Sequence, residues 1–235
     1  MADSPGGADG VSRETGAPDV SRETAVPDPV VLAGLFPPHR LSLLEKYAEL
    51  LATEGVTRGL IGPREVGRLW DRHLVNCALL APLIPIDATV ADVGSGAGLP
   101  GLVVAIARPD LRVTLVEPMA RRVAFLEEAR DRLGLEGIEV VRVRAEQWSD
   151  PRRFDVVTSR AVASLPKLLG WAMPLVADDG IMLAMKGSAA ADEVSAAAAE
   201  LRRWHARADV VTSAVPGSSI TTVVRVVRDP TAGIG

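Results

Sequence analysis

The amino-acid sequence predicts an α/β fold in which a mostly parallel sheet of seven strands carries helices on both faces. From residue 87 onward, short runs rich in β-branched residues alternate with stretches of helical periodicity. This alternation is typical of parallel strands joined by crossover helices. The last two runs have only a loop between them, which indicates an antiparallel hairpin at one sheet edge. A glycine-rich turn after the first run is the third indication, because α/β sheets bind ligands at such turns.

The predicted elements follow one another with short connections. The predicted strands are Thr89–Val93, Val113–Val116, Ile138–Val143, Phe154–Thr158, Ile181–Met185, Val210–Val215 and Thr222–Val227. The predicted helices between them are Gly101–Ala107, Arg121–Leu133, Leu165–Leu175 and Ala190–His205. Upstream, apolar residues at helical spacing predict a helix over Leu41–Leu51, and Pro63 begins a second helix that runs to about Leu80.

Three regions are predicted along the chain: a tail over residues 1–30, an N-terminal helical extension over 31–86, and the α/β domain over 87–235. The tail holds two copies of a polar, proline-containing nonapeptide, at 11–19 and 20–28, so we expect it to be disordered. The tail also carries the acidic excess behind the net charge of −4, since the rest of the chain has 24 acidic and 24 basic residues. The charge total therefore does not decide whether the partner is a nucleic acid.

Composition predicts a globular protein of the cytoplasm. Hydrophobic residues make up 48% and charged residues 24%, which favours an ordinary globular domain over a disordered or membrane chain. No apolar run approaches the roughly 20 residues of a membrane span, and the N-terminus lacks the features of a signal peptide. Cys77 is the only cysteine, which excludes an internal disulfide and fits a reducing compartment. We expect no membrane partner.

A glycine-rich segment follows the first predicted strand and reads Asp92-Val-Gly94-Ser-Gly96-Ala-Gly98-Leu-Pro-Gly101. Glycines let the backbone turn tightly and approach a ligand, while the next helix presents its N-terminus. The last three glycines also satisfy the dinucleotide fingerprint. Two details favour S-adenosylmethionine instead. Asp92 would repel a pyrophosphate but suits a cationic sulfonium, and the glycines begin with the compact Gly-x-Gly-x-Gly spacing.

Two further positions after strands complete the predicted cofactor site. Glu117 ends the second strand, where a carboxylate can accept hydrogen bonds from both hydroxyls of a ribose. Ala145-Glu146 follows the third strand, where such folds hold the adenine edge. The alternative is that Asp92 and Glu117 only cap neighbouring helices. Their position at strand carboxyl ends, where α/β sheets bind ligands, favours the cofactor interpretation.

Several segments resemble one protein family. Besides the glycine-rich segment with its Leu-Pro-Gly ending, they are Ser159-Arg160-Ala161-Val-Ala-Ser-Leu165, Lys186-Gly187 and Arg72-His73-Leu74. The resemblance extends from residue 40 to about 228 and is to the RsmG family, also called glucose-inhibited division protein B. It implies a Rossmann-like class I methyltransferase that uses S-adenosylmethionine. Its members methylate ring nitrogen 7 of a guanine in the decoding-region loop of 16S ribosomal RNA.

The resemblance also implies site residues. It implies cofactor contacts from Gly94, Leu99, Ala145, Glu146 and Arg160. Arg160 follows the fourth strand beside the glycine segment, so we expect a cofactor or substrate role for it. His73 is a hypothetical partner that stacks on the flipped guanine or hydrogen-bonds to it. Asn76 stands where relatives commonly have an aspartate, and its amide can hydrogen-bond but cannot act as a charged base.

The chemistry of guanine ring nitrogen 7 suits this set of residues. That nitrogen carries an in-plane lone pair and no proton, so its methylation needs placement against the methyl donor and no general base. Methylation of cytosine carbon 5 needs a thiolate, and Cys77 is predicted on a helix outside the sheet. Methylation of exocyclic amines usually comes with an Asn/Asp-Pro-Pro-aromatic turn, but the turn here reads Thr158-Ser-Arg-Ala161. Both of these reactions are disfavoured.

Contact with RNA is predicted for a row of arginines. Arg64, Arg68 and Arg72 are four residues apart and would share one face of a regular helix, although a solvated face is the alternative. The predicted partner is 16S ribosomal RNA or the small ribosomal subunit, and no DNA partner is expected. His73 and Cys77 could hold a metal ion only with further ligands, so no metal site is predicted.

Three other functions remain open from the sequence. The first is a methyltransferase for another RNA, a protein or a small molecule, whose sheet would look the same. The second is a non-catalytic module that binds RNA or a nucleotide. The third is a dinucleotide oxidoreductase, which binding of S-adenosylhomocysteine in preference to NAD would exclude.

Overall fold

A computed structural model describes residues 26–229 and shows a sheet of seven strands. The strands are β1 Thr89–Val93, β2 Arg112–Val116, β3 Ile138–Val141, β4 Phe154–Arg160, β5 Val176–Lys186, β6 Ala206–Ser213 and β7 Thr221–Arg228. Their order in the sheet is β3-β2-β1-β4-β5-β7-β6. Strands β1 to β5 pair in parallel, and β7 pairs antiparallel with both β5 and β6. The predicted mixed sheet with an antiparallel edge is confirmed.

The order of the strands places a crevice beside the central strand. The chain builds outward from β1 through β2 to β3, and then returns to the other side of β1 with β4. Parallel sheets bind ligands outside the carboxyl ends of their strands at the point where the direction of winding reverses. In this protein that point lies between β1 and β4, next to the glycine-rich segment.

Helices cover both faces of the sheet. They are α1 Pro29–Leu35, α2 Leu41–Leu50, α3 Asn76–Ala78, α4 Gly101–Ala107, α5 Ala120–Leu133, α6 Leu165–Ala172, α7 Ala190–Ala196 and α8 Ala198–Arg203. Short 3₁₀ turns lie at Pro38–Arg40, Pro63–Arg68, Ala81–Leu83, Ala145–Gln147 and Met173–Leu175. None of the helices within residues 26–229 is long and apolar enough to cross a membrane.

Two apolar clusters lie on opposite faces of the sheet. Along β1, Val90 belongs to one cluster, whereas Ala91 and Val93 belong to the other. This alternation follows from the two-residue period of a strand. The first cluster includes residues of α2, α4 and α5, and the second includes residues of α6, α7 and α8.

The N-terminal extension is part of the same core as the sheet. Leu44, Tyr47 and Leu74 are fully buried, and they belong to the cluster that contains Val90 of β1. The predicted tail over 1–30 overlaps the first helix, because α1 begins at Pro29. The Asp28 carboxylate caps this helix by accepting from the Val30 N–H. The first repeat and most of the second lie outside the described residues.

The predicted helix from Pro63 to about Leu80 is wrong in its geometry. The segment begins as the 3₁₀ turn Pro63–Arg68, widens to π-helical turns over Leu69–Val75, and becomes α-helical only at Asn76–Ala78. Arg68 breaks the regular path with backbone angles of φ −119° and ψ 10°. Its neighbour Gly67 disfavours a helix interior, which accounts for a break at this point.

Candidate active site

The glycine-rich segment turns sharply between β1 and α4 because its glycines adopt left-handed backbone angles. Gly94, Gly96 and Gly98 have φ values of +72°, +58° and +92°. At Gly98 an added Cβ would lie 2.4 Å from the Leu102 Cδ1 atom and 2.8 Å from the Tyr47 hydroxyl. At Gly96 the nearest atom would be 3.8 Å away, so the loop leaves open space on that side. Gly98 is therefore a packing position, whereas Gly96 faces free volume.

Tyr47 of α2 forms a hydrogen bond with the backbone of the glycine-rich turn. Its hydroxyl donates to the Ala97 carbonyl oxygen at 2.6 Å, and the side chain is fully buried. Burial, with Cys77 and Asp92 nearby, holds the pKa of Tyr47 well above its ordinary value, so the hydroxyl keeps its proton. The N-terminal extension thus fixes the position of the glycine turn.

The Asp92 side chain lies beneath the turn and packs against Gly101 at the start of α4. Its Oδ2 atom accepts from the Gly101 N–H at 3.0 Å, at the start of α4, and its side chain is fully buried. Burial raises the pKa of Asp92 to about 7, even though the Gly101 N–H opposes the shift. The Asp92 carboxylate therefore caps the start of α4, and its contact with the cofactor stays a prediction.

Glu117 joins the turn to the next helix. Its Oε2 atom accepts from the Gly96 N–H at 3.0 Å, and its Oε1 atom accepts from the Met119 N–H at 2.9 Å. The Arg122 guanidinium lies 3.6 Å from Oε2. Unlike Asp92, this carboxylate forms part of a cavity wall, as a cofactor ligand must.

A cavity of about 580 Å³ opens at the carboxyl ends of β1 and β2. Of the predicted cofactor residues, it is lined by Gly94, Gly96, Leu99, Glu117, Ala145, Glu146 and Arg160. Asp92 and Gly98 are absent from its wall. Its residues suit S-adenosylmethionine, because a carboxylate and an open glycine turn lie beside apolar residues such as Ile61 and Val116.

Three side chains connect the N-terminal extension to the end of β4. Glu65 Oε2 lies 2.9 Å from His73 Nε2, and Arg160 Nη2 donates to His73 Nδ1. An arginine has only donors, so Nδ1 must accept and the proton of a neutral ring is on Nε2. Burial, followed by the positive charge of Arg160, lowers the pKa of His73 and supports this neutral form.

The other hydrogen bonds of Arg160 also run to the extension. Its Nη1 atom donates to the Cys77 Sγ atom at 3.2 Å and to the Arg72 carbonyl oxygen at 3.4 Å. His73 Nδ1 and Cys77 Sγ thus both accept from the guanidinium of Arg160, so the two atoms that could bind a metal ion already contact a cation. No group of three or more metal-binding side chains occurs in the described part of the chain.

A second cavity of about 520 Å³ adjoins the first. The two share the wall Arg160–Ala161–Val162, in which Ala161 has the left-handed φ value of +54°. Asn76 lines only the second cavity, together with Lys186 and Glu193. A base entering this cavity would lie next to the predicted cofactor cavity, as a transfer reaction requires.

The predicted arginine row does not lie on one helical face. Arg64, Arg68 and Arg72 are all exposed, but Arg64 and Arg68 belong to a 3₁₀ turn. Four residues of a 3₁₀ helix make about one and a third turns, so Arg64 points away from the line of Arg68. Arg72 lines the second cavity and lies 3.5 Å from Glu65.

Four residues of the site were not predicted from the sequence. They are Tyr47, Glu65, Lys186 and Glu193, of which Lys186 was noted only as part of a resembling segment. A buried hydroxyl on the apolar face of α2 is the one local signal that could have marked Tyr47. The others are brought together by contacts between distant elements, which no local spacing reveals.

The fold and the cavity define a Rossmann-like methyltransferase. Two solved structures share the fold. The M1A22 tRNA methyltransferase TrmK of B. subtilis has a TM-score of 0.52 and 15% identity, and the match covers 69% of this chain and 68% of that one. A ribosomal protein L11 methylase of Lactobacillus delbrueckii has a TM-score of 0.51 and 17% identity, and the match covers 66% of this chain and 77% of that one. These likenesses support the fold alone.

Sequence relatives identify the family. The profile of the GidB family, rRNA small subunit methyltransferase G, matches residues 40–219. A ribosomal RNA small subunit methyltransferase G of Nocardioides sp. is 62% identical over 94% of this chain and 86% of its own length. A protein of the same name from Renibacterium salmoninarum is 54% identical over 80% and 88%. The chain belongs to this family, and it is an S-adenosylmethionine-dependent methyltransferase.

Proposed function

We propose that the protein methylates ring nitrogen 7 of one guanine in the decoding-region loop of 16S ribosomal RNA. Family membership supports small-subunit ribosomal RNA as the substrate. The observation that carries the proposal is the pair of adjoining cavities with the common wall Arg160–Val162. One has residues suited to the methyl donor, and the other is open to solvent and lined by polar side chains.

The first cavity would hold S-adenosylmethionine through a small number of groups. Glu117 would accept hydrogen bonds from the ribose, and Gly94, Gly96 and Leu99 would let the methionine part approach the backbone. Ala145 and Glu146 would border the adenine. Asp92 and Gly98 would act indirectly, by fixing the turn through α4, Leu102 and Tyr47.

The reaction needs no general base. When bound, S-adenosylmethionine supplies an electrophilic methyl group on a sulfonium. The lone pair of nitrogen 7 would accept this methyl group in exchange for the bond to sulfur, so the positive charge would pass from the sulfonium to the base. Arg160, His73 and Asn76 would position the base, since all three lie at or beside the boundary between the cavities.

Recognition of the RNA beyond the target base would depend on exposed arginines. Arg64, Arg68 and Arg72 are all exposed, and Arg72 lines the second cavity. They would contact phosphates as separate groups, since they do not share one face. The partner would be the small ribosomal subunit or its 16S RNA rather than DNA. This substrate would place the enzyme in the cytoplasm, where ribosomes are assembled.

The test is methyl transfer from labelled S-adenosylmethionine to small subunits isolated from cells that lack this gene. Nuclease digestion and mass spectrometry would identify the product nucleoside, with an Arg160→Ala variant as the control. We expect one new 7-methylguanosine with the unchanged protein and a strong reduction with the variant. Clear binding of S-adenosylhomocysteine without incorporation would overturn the ribosomal substrate and favour a methyltransferase for another substrate.

A further inference from the structure

The second cavity contains an ion pair whose hydrogen-bonding capacity is only partly used. Lys186 at the end of β5 donates through Nζ to the Glu193 Oε2 atom at 2.7 Å and to the Ala163 carbonyl oxygen at 2.8 Å. The Leu165 N–H also donates to Glu193 Oε2, at 2.9 Å. The Lys186 side chain is only 8% exposed, so the pair is held in a fixed place.

One donor and one acceptor of this pair remain available. An ammonium group has three N–H donors, and Lys186 uses two of them. Glu193 receives both of its hydrogen bonds on Oε2, and within residues 26–229 no hydrogen bond reaches Oε1. Burial alone would raise the pKa of Glu193, but hydrogen bonds from Lys186 and the Leu165 N–H lower it, so the carboxylate is ionised at neutral pH.

A neighbouring donor and acceptor match one edge of guanine. Guanine presents its O6 acceptor beside its N1–H donor, whereas adenine presents an amine donor beside the N1 acceptor. A lysine donor next to a carboxylate acceptor is therefore complementary to guanine. With adenine the lysine would face the amine donor and the carboxylate would face the N1 acceptor, so neither hydrogen bond could form. The O6 atom also lies beside nitrogen 7, so a base bound in this way can present nitrogen 7 towards the wall shared with the first cavity.

We propose that Lys186 and Glu193 select the target base, with Lys186 donating to guanine O6 and Glu193 Oε1 accepting from guanine N1–H. This inference rests on the proposed function and names its specificity-determining residues. Neither side chain lines the first cavity, so their role is with the base and not with the cofactor.

The same contact would favour the reaction as well as the base. Methylation of nitrogen 7 leaves positive charge on the ring, which makes N1–H a stronger donor. Its hydrogen bond to an ionised Glu193 therefore strengthens as the new bond forms, and an interaction that is stronger in the transition state accelerates the reaction. Glu193 takes no proton in this step.

The first experiment compares Glu193→Gln with the control Asp192→Asn. Asp192 is the neighbouring residue of α7 and is exposed, and its substitution removes the same charge. Binding of S-adenosylhomocysteine is measured by calorimetry, and single-turnover methyl transfer is measured on small subunits that lack the modification. We expect Glu193→Gln to bind the cofactor product within twofold of the unchanged protein and to transfer methyl groups at least about 30-fold more slowly. Asp192→Asn should match the unchanged protein in both.

The second experiment changes the base. Small subunits are reconstituted with 16S RNA that carries inosine or adenosine at the target position. Inosine keeps O6 and N1–H and lacks only the exocyclic amine, so we expect the unchanged protein to methylate it within about threefold of guanosine, and to reject adenosine. If the pair reads the base, this preference for inosine over adenosine weakens in Glu193→Gln, whereas a merely structural role of the pair would leave the preference unchanged.

Three results would overturn the inference. They are transfer by Glu193→Gln within threefold of the unchanged protein, a loss of cofactor binding in this variant as large as the loss of transfer, and rejection of inosine. In each case the unchanged protein still forms 7-methylguanosine, so the proposed function stands. If the unchanged protein forms none on guanosine-containing subunits, the proposed function fails and the assignment of the pair fails with it.

Discussion

At the scale of single residues, two carboxylates at neighbouring strand ends have different surroundings. Asp92 is sealed behind the glycine turn with one hydrogen bond from the Gly101 N–H, whereas Glu117 has two backbone donors and lines the cavity. A buried carboxylate with few donors is costly to ionise. Asp92 therefore has a pKa of about 7, well above that of an exposed aspartate.

The raised pKa of Asp92 predicts a dependence of stability on pH. Its folded value of about 7 exceeds the ordinary 3.8, so its stabilising contribution is full below pH 3.8 and is lost as the pH rises to 7. An asparagine at this position does not titrate, so Asp92→Asn removes this loss of stability at higher pH. We expect the free energy of unfolding of the variant, relative to the unchanged protein, to rise by roughly 3 kcal/mol between pH 5 and pH 8. Urea unfolding at both pH values measures it, and an equal difference at both would contradict the account.

The hydrogen bonds that connect Glu65, His73 and Arg160 predict that a substitution of Glu65 changes the pKa of His73. Glu65 favours the charged imidazolium, whereas burial and Arg160 oppose it and lower the pKa of His73. In Glu65→Gln the supporting charge is absent, so we expect the pKa of His73 to fall further. Asp71→Asn, an exposed acid nearby, is the matched control and should leave it unchanged. NMR titration of the imidazole measures both, and a rise in the Glu65→Gln variant would refute the proposed arrangement.

At the scale of elements, the glycine turn is held on two sides. Tyr47 of α2 binds the Ala97 carbonyl oxygen, and α4 begins where Gly101 donates to Asp92. The backbone angles of the turn require glycine at the positions that pack most closely. The shape of the cavity therefore depends on packing beneath the turn as well as on the residues that face a ligand.

Two glycine substitutions should act in opposite directions. Gly98→Ala would force a Cβ into Leu102 and Tyr47 at a φ of +92°, and we expect it to destabilise the protein by roughly 2–4 kcal/mol. Gly170 lies in α6 with no atom within 4 Å of an added Cβ, so Gly170→Ala should stabilise by roughly 0.5–1 kcal/mol. Chemical unfolding compares them. A Gly98→Ala variant as stable as the unchanged protein would show that the turn is not constrained by its packing.

Elements with strong local patterns were predicted well. Strand β1 and helix α4 have the predicted bounds, because apolar residues and the glycine turn define both ends. The region Pro63–Ala78 differs, since its mixture of 3₁₀, π and α geometry depends on packing against the sheet and on a weak helix former at Gly67. The long helix predicted over Ala190–His205 is two helices, with a break at Ala197.

At the scale of the whole molecule, the extension and the sheet form one hydrophobic core. Leu44, Leu51 and Leu74 are fully buried in the same cluster as strand residues. His73 is thereby held against Arg160 of β4, and the Asn76 carbonyl oxygen accepts from the Thr221 hydroxyl of β7. This convergence of distant segments explains why sequence spacing identified the glycine turn and Glu117 but could not identify Glu193 or Glu65.

A shared core predicts a single unfolding transition. Two variants that each keep one tryptophan would report on different regions: Trp70 in the extension and Trp148 on the opposite face of the sheet. We expect their fluorescence transitions in urea to have the same midpoint, because neither region can unfold without exposing the other. An earlier transition at Trp70 would show that the extension is a separate unit.

The most direct measurement of the central claim is the nucleoside content of 16S ribosomal RNA from cells that lack this gene. Complementation with the unchanged gene, with Arg160→Ala, or with Glu117→Gln would be followed by digestion and mass spectrometry. We predict that one 7-methylguanosine per 16S molecule disappears with the gene, returns with the unchanged protein, and stays strongly reduced with both variants at equal protein levels. Full modification without the gene, or full restoration by Arg160→Ala, would contradict the proposed function of the two adjoining cavities.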